Sequence, residues 1–441
     1  MIKTKCYSAK EISQILSYSP SFDDFFIDTI TINSKEKTEK NACFFAINGK
    51  NFNGHNYIKE AIKNGAKLIV ASERIDASVP VIYVNNTTKA LGKLAQHNKG
   101  KTKVVGITGS VGKTTTKDMI ASVLKEKYSV ISTEGNLNNE IGVPLTLLKI
   151  KNENFAVIEM GMRARGEIDY LASISRPETA IITNSLSSHI ERLKTRNNIF
   201  LAKKEILNYF PKYAVLPNDE RFKCLDLQGV TMFFVGEQDS AYISDYEYTS
   251  DGIIFSVNKN NKIKLNTFFR HNLDNALFAY IVGKIYKLND TEIKNGLEKF
   301  KSTQMHEQYL NLKGITVIND CYNASFESVK SAIYALKEYC KINNKRMNVL
   351  LADILEAGDE SEKIHFEIGR LCKNEGVCHM YAYGKYASSL VSGFDGGFCF
   401  ENKQEISRTI LRELNSKDVI LIKASRNMHL EEIIEDMKEN E

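Results

Sequence analysis

Between residues 103 and 120 the chain reads KVVGITGSVGKTTTKDMI, and this stretch constrains the fold more than any other. A short apolar run stops at a glycine-rich turn and restarts as a helical pattern. Such a run suits a strand buried on both faces, and a helix directly after it implies a right-handed crossover to a parallel neighbour. The turn needs residues without a Cβ, which Gly109 and Gly112 supply. It also gathers backbone N–H groups and a helix N-terminus at one point, and both attract phosphate. Lys113 is placed to reach terminal phosphates, and the Thr114 hydroxyl to ligate Mg²⁺. The spacing is unusual: the position five before Gly112 is Ile107, and the glycines fall at 106 and 109. A glycine-rich turn with a solvated lysine is the plain alternative, and the strand before it and helix after it argue against that.

The loop alone names no reaction. A GTPase would carry N-K-x-D, and the chain has none. The next apolar run, AVIEMG, ends in Glu159, at the strand edge where open α/β sheets bind ligands. Glu159 reads equally as a Mg²⁺ ligand, an orienter of water, or a solvated strand-end residue. A third run, AIITN, leads into SLSSHIE and would bring His189 to the same edge, although a lone histidine is more often a packing or surface residue. Lys203 and Lys204 follow on a helical IFLAKKEIL, and patterning does not single out either.

Three α/β segments are expected: 1–100, with the strand-like CFFAI, KLIVAS and PVIYV; 101–305, a mostly parallel sheet around the phosphate loop; and 306–441, a doubly wound, Rossmann-like domain. The polar QHNKGKTK marks the first boundary, and DGIIFSVNKNNKIKLN predicts a hairpin turning at KNN. The formal charge of +5 is spread out, which gives no basic stripe for nucleic acid. Eight cysteines without a C-x-x-C pair read as reduced thiols. With no apolar leader or membrane-length run, a cytoplasmic protein without a membrane span is expected, by default a monomer.

TGSVGKTTTK, GNLNNEIGVPLTLL, AVIEMG, SSHIE with AKKEI, RHNLDNALFA and INDCYNAS stand in the order and spacing of the Mur ligases, which the chain resembles along essentially its whole length. These are ATP-dependent amide-forming enzymes of peptidoglycan precursor synthesis. The resemblance implies addition of D-Ala-D-Ala to a UDP-linked muramoyl tripeptide through an acyl phosphate. It places Thr108, Gly109, Ser110, Gly112, Lys113, Thr114 and Thr115 around the ATP phosphates. Thr114 and Glu159 would hold a first Mg²⁺. His189 and Lys203, the latter carrying a CO₂-derived carbamate, would serve a second. Asn272 and Asn275 would contact the adenine with His271 beside them, and Asp320 the ribose, with Tyr322 and Asn323 near the same nucleotide. The catalytic set implied is Lys113, Glu159, His189 and Lys203.

Some positions depart from the family pattern. D-S-R appears as Asn33-Ser34-Lys35, Asn53 replaces the aspartate of G-x-x-x-D-G-H, and Met305 stands where an arginine is expected. GDM appears as Ala352-Asp353-Ile354, and KGSR as KASR, Lys423 to Arg426. Two alternatives therefore remain beside the expected ligase. One is a paralogue joining a different amine to a different, perhaps nucleotide-linked, carboxylate. The other is a P-loop phosphotransferase acting on a small metabolite.

Overall fold

The computed structural model describes every residue except 39–40, 50–51, 187–192, 194, 239, 261, 303–304, 356–357 and 440–441. The chain falls into two compact units. The first comprises Met1–Leu186, Thr195–Phe234 and Val282–Leu288; the second comprises Ser187–Lys194, Val235–Ile281 and Asn289–Glu441.

The first unit holds two sheets. β1 (Ile2–Ser8), β2 (Phe26–Thr31), β3 (Ala42–Phe45), β4 (Ala66–Ala71) and β5 (Val81–Tyr83) lie side by side in chain order. β1 runs antiparallel to β2, and the other pairings are parallel. The second sheet contains β6 (Lys103–Thr108), β7 (Val130–Ser132), β8 (Phe155–Glu159), β9 (Thr179–Ile182), β10 (Tyr213–Pro217) and β11 (Thr231–Val235), in the order β11-β10-β9-β6-β8-β7. β6 is thus central and flanked by the two other strands singled out in the sequence. Their registers pair Ile107 with Glu159 and Thr108 with Ile182, so the three strands end level. Val104, Val105 and Ile107 are fully buried, as a strand covered on both faces requires.

The polar QHNKGKTK carries one buried residue among exposed and half-buried ones. It begins as the last turn of a helix, Thr87–Lys99, and Asn98 is 1% exposed. The Asn98 Oδ1 accepts from Thr4 Oγ1 at 3.1 Å and Tyr7 OH at 2.5 Å. Its Nδ2 donates to the carbonyls of Leu147, Leu148 and Ile150 at 2.8, 3.2 and 2.9 Å. The Leu147 carbonyl also receives the Ile150 N–H at 3.2 Å, so the Asn98 amide adds a side-chain tie to the end of the helix Gly142–Leu148.

The second unit also holds two sheets. β12 (Ile243–Thr249), β13 (Gly252–Val257) and β14 (Lys262–Leu265) form an antiparallel meander. The predicted hairpin is β13–β14, and Asn258 and Lys259 enter its turn with φ of +54° and +62°. β15 (Gln308–Leu312), β16 (Ile315–Asp320), β17 (Arg346–Ala352), β18 (His379–Tyr383), β19 (Phe398–Phe400) and β20 (Asp418–Lys423) take the order β15-β16-β20-β17-β18-β19. Only β15 is antiparallel to its neighbour. One face packs against Val329, Ile333 and Leu336 of a long helix, and the other against Ile406, Ile410 and Ile433. This is the doubly wound arrangement expected for 306–441.

Candidate nucleotide site

In the first unit the loop between β6 and the helix Lys113–Lys125 is shaped by two glycines. Gly112, the residue before the helix, has φ of +80°, where a side chain is strained. A Cβ on Gly109 would lie 1.9 Å from Thr183 Oγ1, so the loop packs against the end of β9 only without one. Asn184, the last residue of AIITN, holds the loop: its Oδ1 accepts from the N–H groups of Ser110 and Val111, both at 3.1 Å. Ser110 Oγ meanwhile exchanges hydrogen bonds with the backbone of Leu186. The Lys113 ammonium lies along the loop, donating to the carbonyls of Gly109 at 2.9 Å and Ser110 at 3.2 Å. Thr115 is half-buried on the first helical turn. The hydroxyls of Thr108 and Ser185 are buried with no hydrogen-bond partner among the described residues. Native structures seldom leave such groups unmatched, and both flank this loop.

Glu159 is 2% exposed. Its Oε2 accepts from the Thr114 hydroxyl and its Oε1 from Asn138 Nδ2, each at 2.8 Å. Its backbone N–H donates to Thr133 Oγ1 at 3.0 Å. Among the described residues no group of three or more His, Cys, Asp or Glu side chains gathers anywhere. The hydroxyl and carboxylate pair nonetheless fits Mg²⁺. That ion takes hard oxygen donors and is usually held by one or two protein groups plus substrate phosphates. His189 lies outside the described residues.

Lys203 is the feature that patterning could not pick out. It lies in the last turn of the helix Arg196–Lys204 and is 1% exposed, whereas Lys204 beside it is only half-buried. Burial, reinforced by the nearby Lys113 cation, pushes the Lys203 amine well below the usual lysine range. Lys203 therefore tends toward a neutral amine, the form that reacts with CO₂.

The second unit brings together the residues after β14 and those around β16. Asn275 Nδ2 donates to Asn272 Oδ1 at 2.9 Å, and Asn272 Nδ2 donates to Glu307 Oε2 at 2.6 Å. His271 pairs with the other Glu307 oxygen at 3.1 Å and with Ser331 Oγ at 2.9 Å. Desolvation works against charge on this ring, but the Glu307 carboxylate outweighs it, and the pKa is raised. Asp320, at the end of β16, receives the buried Lys423 ammonium at 2.6 Å, and that ammonium also donates to the Asn323 carbonyl at 2.9 Å. Burial raises the Asp320 pKa despite the lysine. The Tyr322 ring lies 4.0 Å from that of His306, centroid to centroid. Glu307 at the centre of this cluster was not among the sequence candidates, and neither were Asn184, Thr133 and Asn138. Each acts by holding another candidate, which leaves no periodic signal.

The departures can be judged on geometry. Asn53 Oδ1 accepts from the His55 N–H at 2.9 Å and pairs with His55 Nδ1 at 2.7 Å. Both bonds use a single oxygen, so the amide serves where the family has a carboxylate. The Asn53 Nδ2 adds a bond to Glu73 Oε1 at 3.1 Å that an aspartate would lack. Ser34 Oγ donates to Glu60 at 2.6 Å, and Asn33 Oδ1 accepts from the Lys35 N–H at 3.1 Å. Beside Met305 lies the Arg426 guanidinium, 2.8 Å from the thioether sulfur and 2.9 Å from Glu431.

Three family models match the chain: "Mur ligase family, catalytic domain" over 27–99, "Mur ligase middle domain" over 107–283, and "Mur ligase, glutamate ligase domain" over 304–426. The UDP-N-acetylmuramoyl-tripeptide–D-alanyl-D-alanine ligase of Bacillus subtilis is 34% identical, the match spanning 100% of this chain and 99% of that one. The Escherichia coli enzyme of the same name is 29% identical over 98% of each. Among solved structures, MurF from Acinetobacter baumannii superposes with a TM-score of 0.90 at 27% identity, covering 99% of this chain and 100% of its own. MurF ligase from Thermotoga maritima in complex with ADP gives 0.83 at 27% identity, covering 93% and 97%. By sequence and by fold, the chain belongs to the Mur ligase family.

Proposed function

We propose that the protein is an ATP-dependent carboxylate–amine ligase that adds D-Ala-D-Ala to a UDP-linked muramoyl tripeptide. The tripeptide carboxylate attacks the γ-phosphoryl group of ATP, giving an acyl phosphate and ADP. The dipeptide amine then attacks the acyl carbon, and phosphate leaves from the tetrahedral intermediate. Lys113 and the loop N–H groups oppose the charge on the phosphates. Thr114 and Glu159 would hold one Mg²⁺, and His189 with carbamylated Lys203 a second; bound there, the ions neutralise crowded anions. Asn272 and Asn275 are assigned to the adenine with His271 beside them, and Asp320 to the ribose, with Tyr322 and Asn323 near the same nucleotide.

The observation that carries this reading over a simple phosphotransferase is the Lys203 amine, 1% exposed and lowered by burial and further by the Lys113 cation. Phosphoryl transfer by a P-loop needs one lysine, not a second one buried near it. End-to-end similarity to enzymes named for this ligation supports the substrates. Segment boundaries at 1–100, 101–305 and 306–441, a cytoplasmic location and a monomer belong to the same reading. No described helix is long and apolar enough to cross a membrane. The test is an ADP-release assay with UDP-linked muramoyl tripeptide and D-Ala-D-Ala, with the product weighed by mass spectrometry. An amide-linked pentapeptide is expected. ADP release with phosphate found on a product and no amide bond would replace the ligase by a phosphotransferase. Turnover only with another amine would indicate the paralogue.

A further inference from the structure

The helix after the phosphate loop buries a second lysine. Lys117 lies one turn beyond Thr114 and is 3% exposed. Its ammonium donates to the Thr133 carbonyl at 2.7 Å and pairs with Asp118 at 2.9 Å. Thr133, itself 1% exposed, follows β7 directly; its N–H donates to the Val157 carbonyl at 3.0 Å, and its hydroxyl accepts from the Glu159 N–H at 3.0 Å. A chain of bonds therefore runs from Lys117 through Thr133 to the backbone of Glu159. From there it passes through the carboxylate to Thr114, on the same helix as Lys117. Burying an ammonium costs several kcal/mol before pairing, on the order of what one good ion pair returns, so stability alone is a weak reason to retain it.

We propose that Lys117 is a positioning residue that fixes the end of β8, so that the Glu159 carboxylate and Thr114 hydroxyl are held ready for a divalent cation. The inference rests on the reading of these two groups as a cation site. Groups that orient a metal ligand from behind typically change metal affinity about 10–100-fold when removed.

The experiment titrates the full-length protein with Mn²⁺ in the presence of ADP, reading free Mn²⁺ by electron paramagnetic resonance. Melting temperatures are recorded without metal. Lys117→Met should bind Mn²⁺ about tenfold or more weakly. Lys117→Gln, which keeps an N–H donor on a shorter side chain, should fall between it and wild type. Thr133→Val, which removes only the hydroxyl, should weaken binding in the same direction. Lys125→Met, exposed at the far end of the helix, is the control and should bind as wild type does. If Lys117→Met does not fold, Lys117→Gln and Thr133→Val decide. Folded variants with wild-type Mn²⁺ affinity, whatever their melting temperature, overturn the proposal. Failure of wild type itself to take up Mn²⁺ with ADP would instead overturn the site.

Discussion

A lysine buried next to another cation is a poor place to store a proton, and Lys203 is in that position. The folded pKa lies below the unfolded one, so between the two the unfolded chain binds more protons, and stability falls as pH drops through that window. The proposed carbamate would remove the conflict and supply an anionic oxygen ligand. Lys203→Ala should therefore be nearly inactive and partly rescued by a short-chain carboxylate, while Lys204→Ala keeps most activity; ADP-release rates decide. Lys203→Met should be inactive yet melt no lower than wild type in CO₂-free buffer, because an apolar chain of similar length carries no charge to desolvate. A marked drop in its melting temperature would show that Lys203 is structural. This is also where the sequence is least informative. Adjacent lysines project about 100° apart on a helix, and only packing determines which is buried. Thr114 and Glu159 were legible because each ends or begins an element with a clear pattern. Asn184 and Glu307 were not, since their work is to hold other residues.

The loop and the helix ends set the tolerance of whole elements. At Gly109 a methyl group would meet Thr183 Oγ1 at 1.9 Å, far inside contact distance. Gly109→Ala should push the loop off β9 and abolish ADP binding measured by calorimetry. Adding Thr183→Ala should recover part of it, because the second change removes the atom in the way. A double variant no better than the single would mean that backbone conformation, rather than the clash, is the constraint. The helix Thr87–Lys99 is locked differently, through Asn98. Asn98→Ala takes the acceptor from the Thr4 and Tyr7 hydroxyls and the amide donor from three carbonyls at and just past the end of the helix Gly142–Leu148, and should lower unfolding free energy by about 3 kcal/mol in denaturant titration. The strands and helices themselves were readable, from β6 to the meander turn, because period and glycine placement carry them. The burial of Asn98 within QHNKGKTK was not legible, because a buried amide and a solvated one look alike in a polar run.

At the scale of the molecule, three sequence segments and two compact units are different divisions, because the second unit takes in 235–281 from the middle of the chain. No linear reading of composition shifts reveals a unit that is discontinuous in sequence. The eight free cysteines give a probe of this division, since Cys6, Cys224, Cys378 and Cys399 are exposed and Cys43, Cys321, Cys340 and Cys372 are buried. Burial pushes Cys340 and Cys372 up to about 12, and Cys43 and Cys321 higher still, so thiolate is scarce at these sites in the folded state. A thiol reagent at pH 8 should label four sites rapidly in native protein and the other four only on unfolding. Cys43 reports on the first unit and Cys321, Cys340 and Cys372 on the second. Chains built of separable units seldom unfold in one transition. Along a urea series the buried thiols should thus appear in two steps, one of a single site and one of three, each followed by mass spectrometry of labelled peptides. If all four became reactive at one midpoint, the two units would be a single cooperative body despite their separate cores.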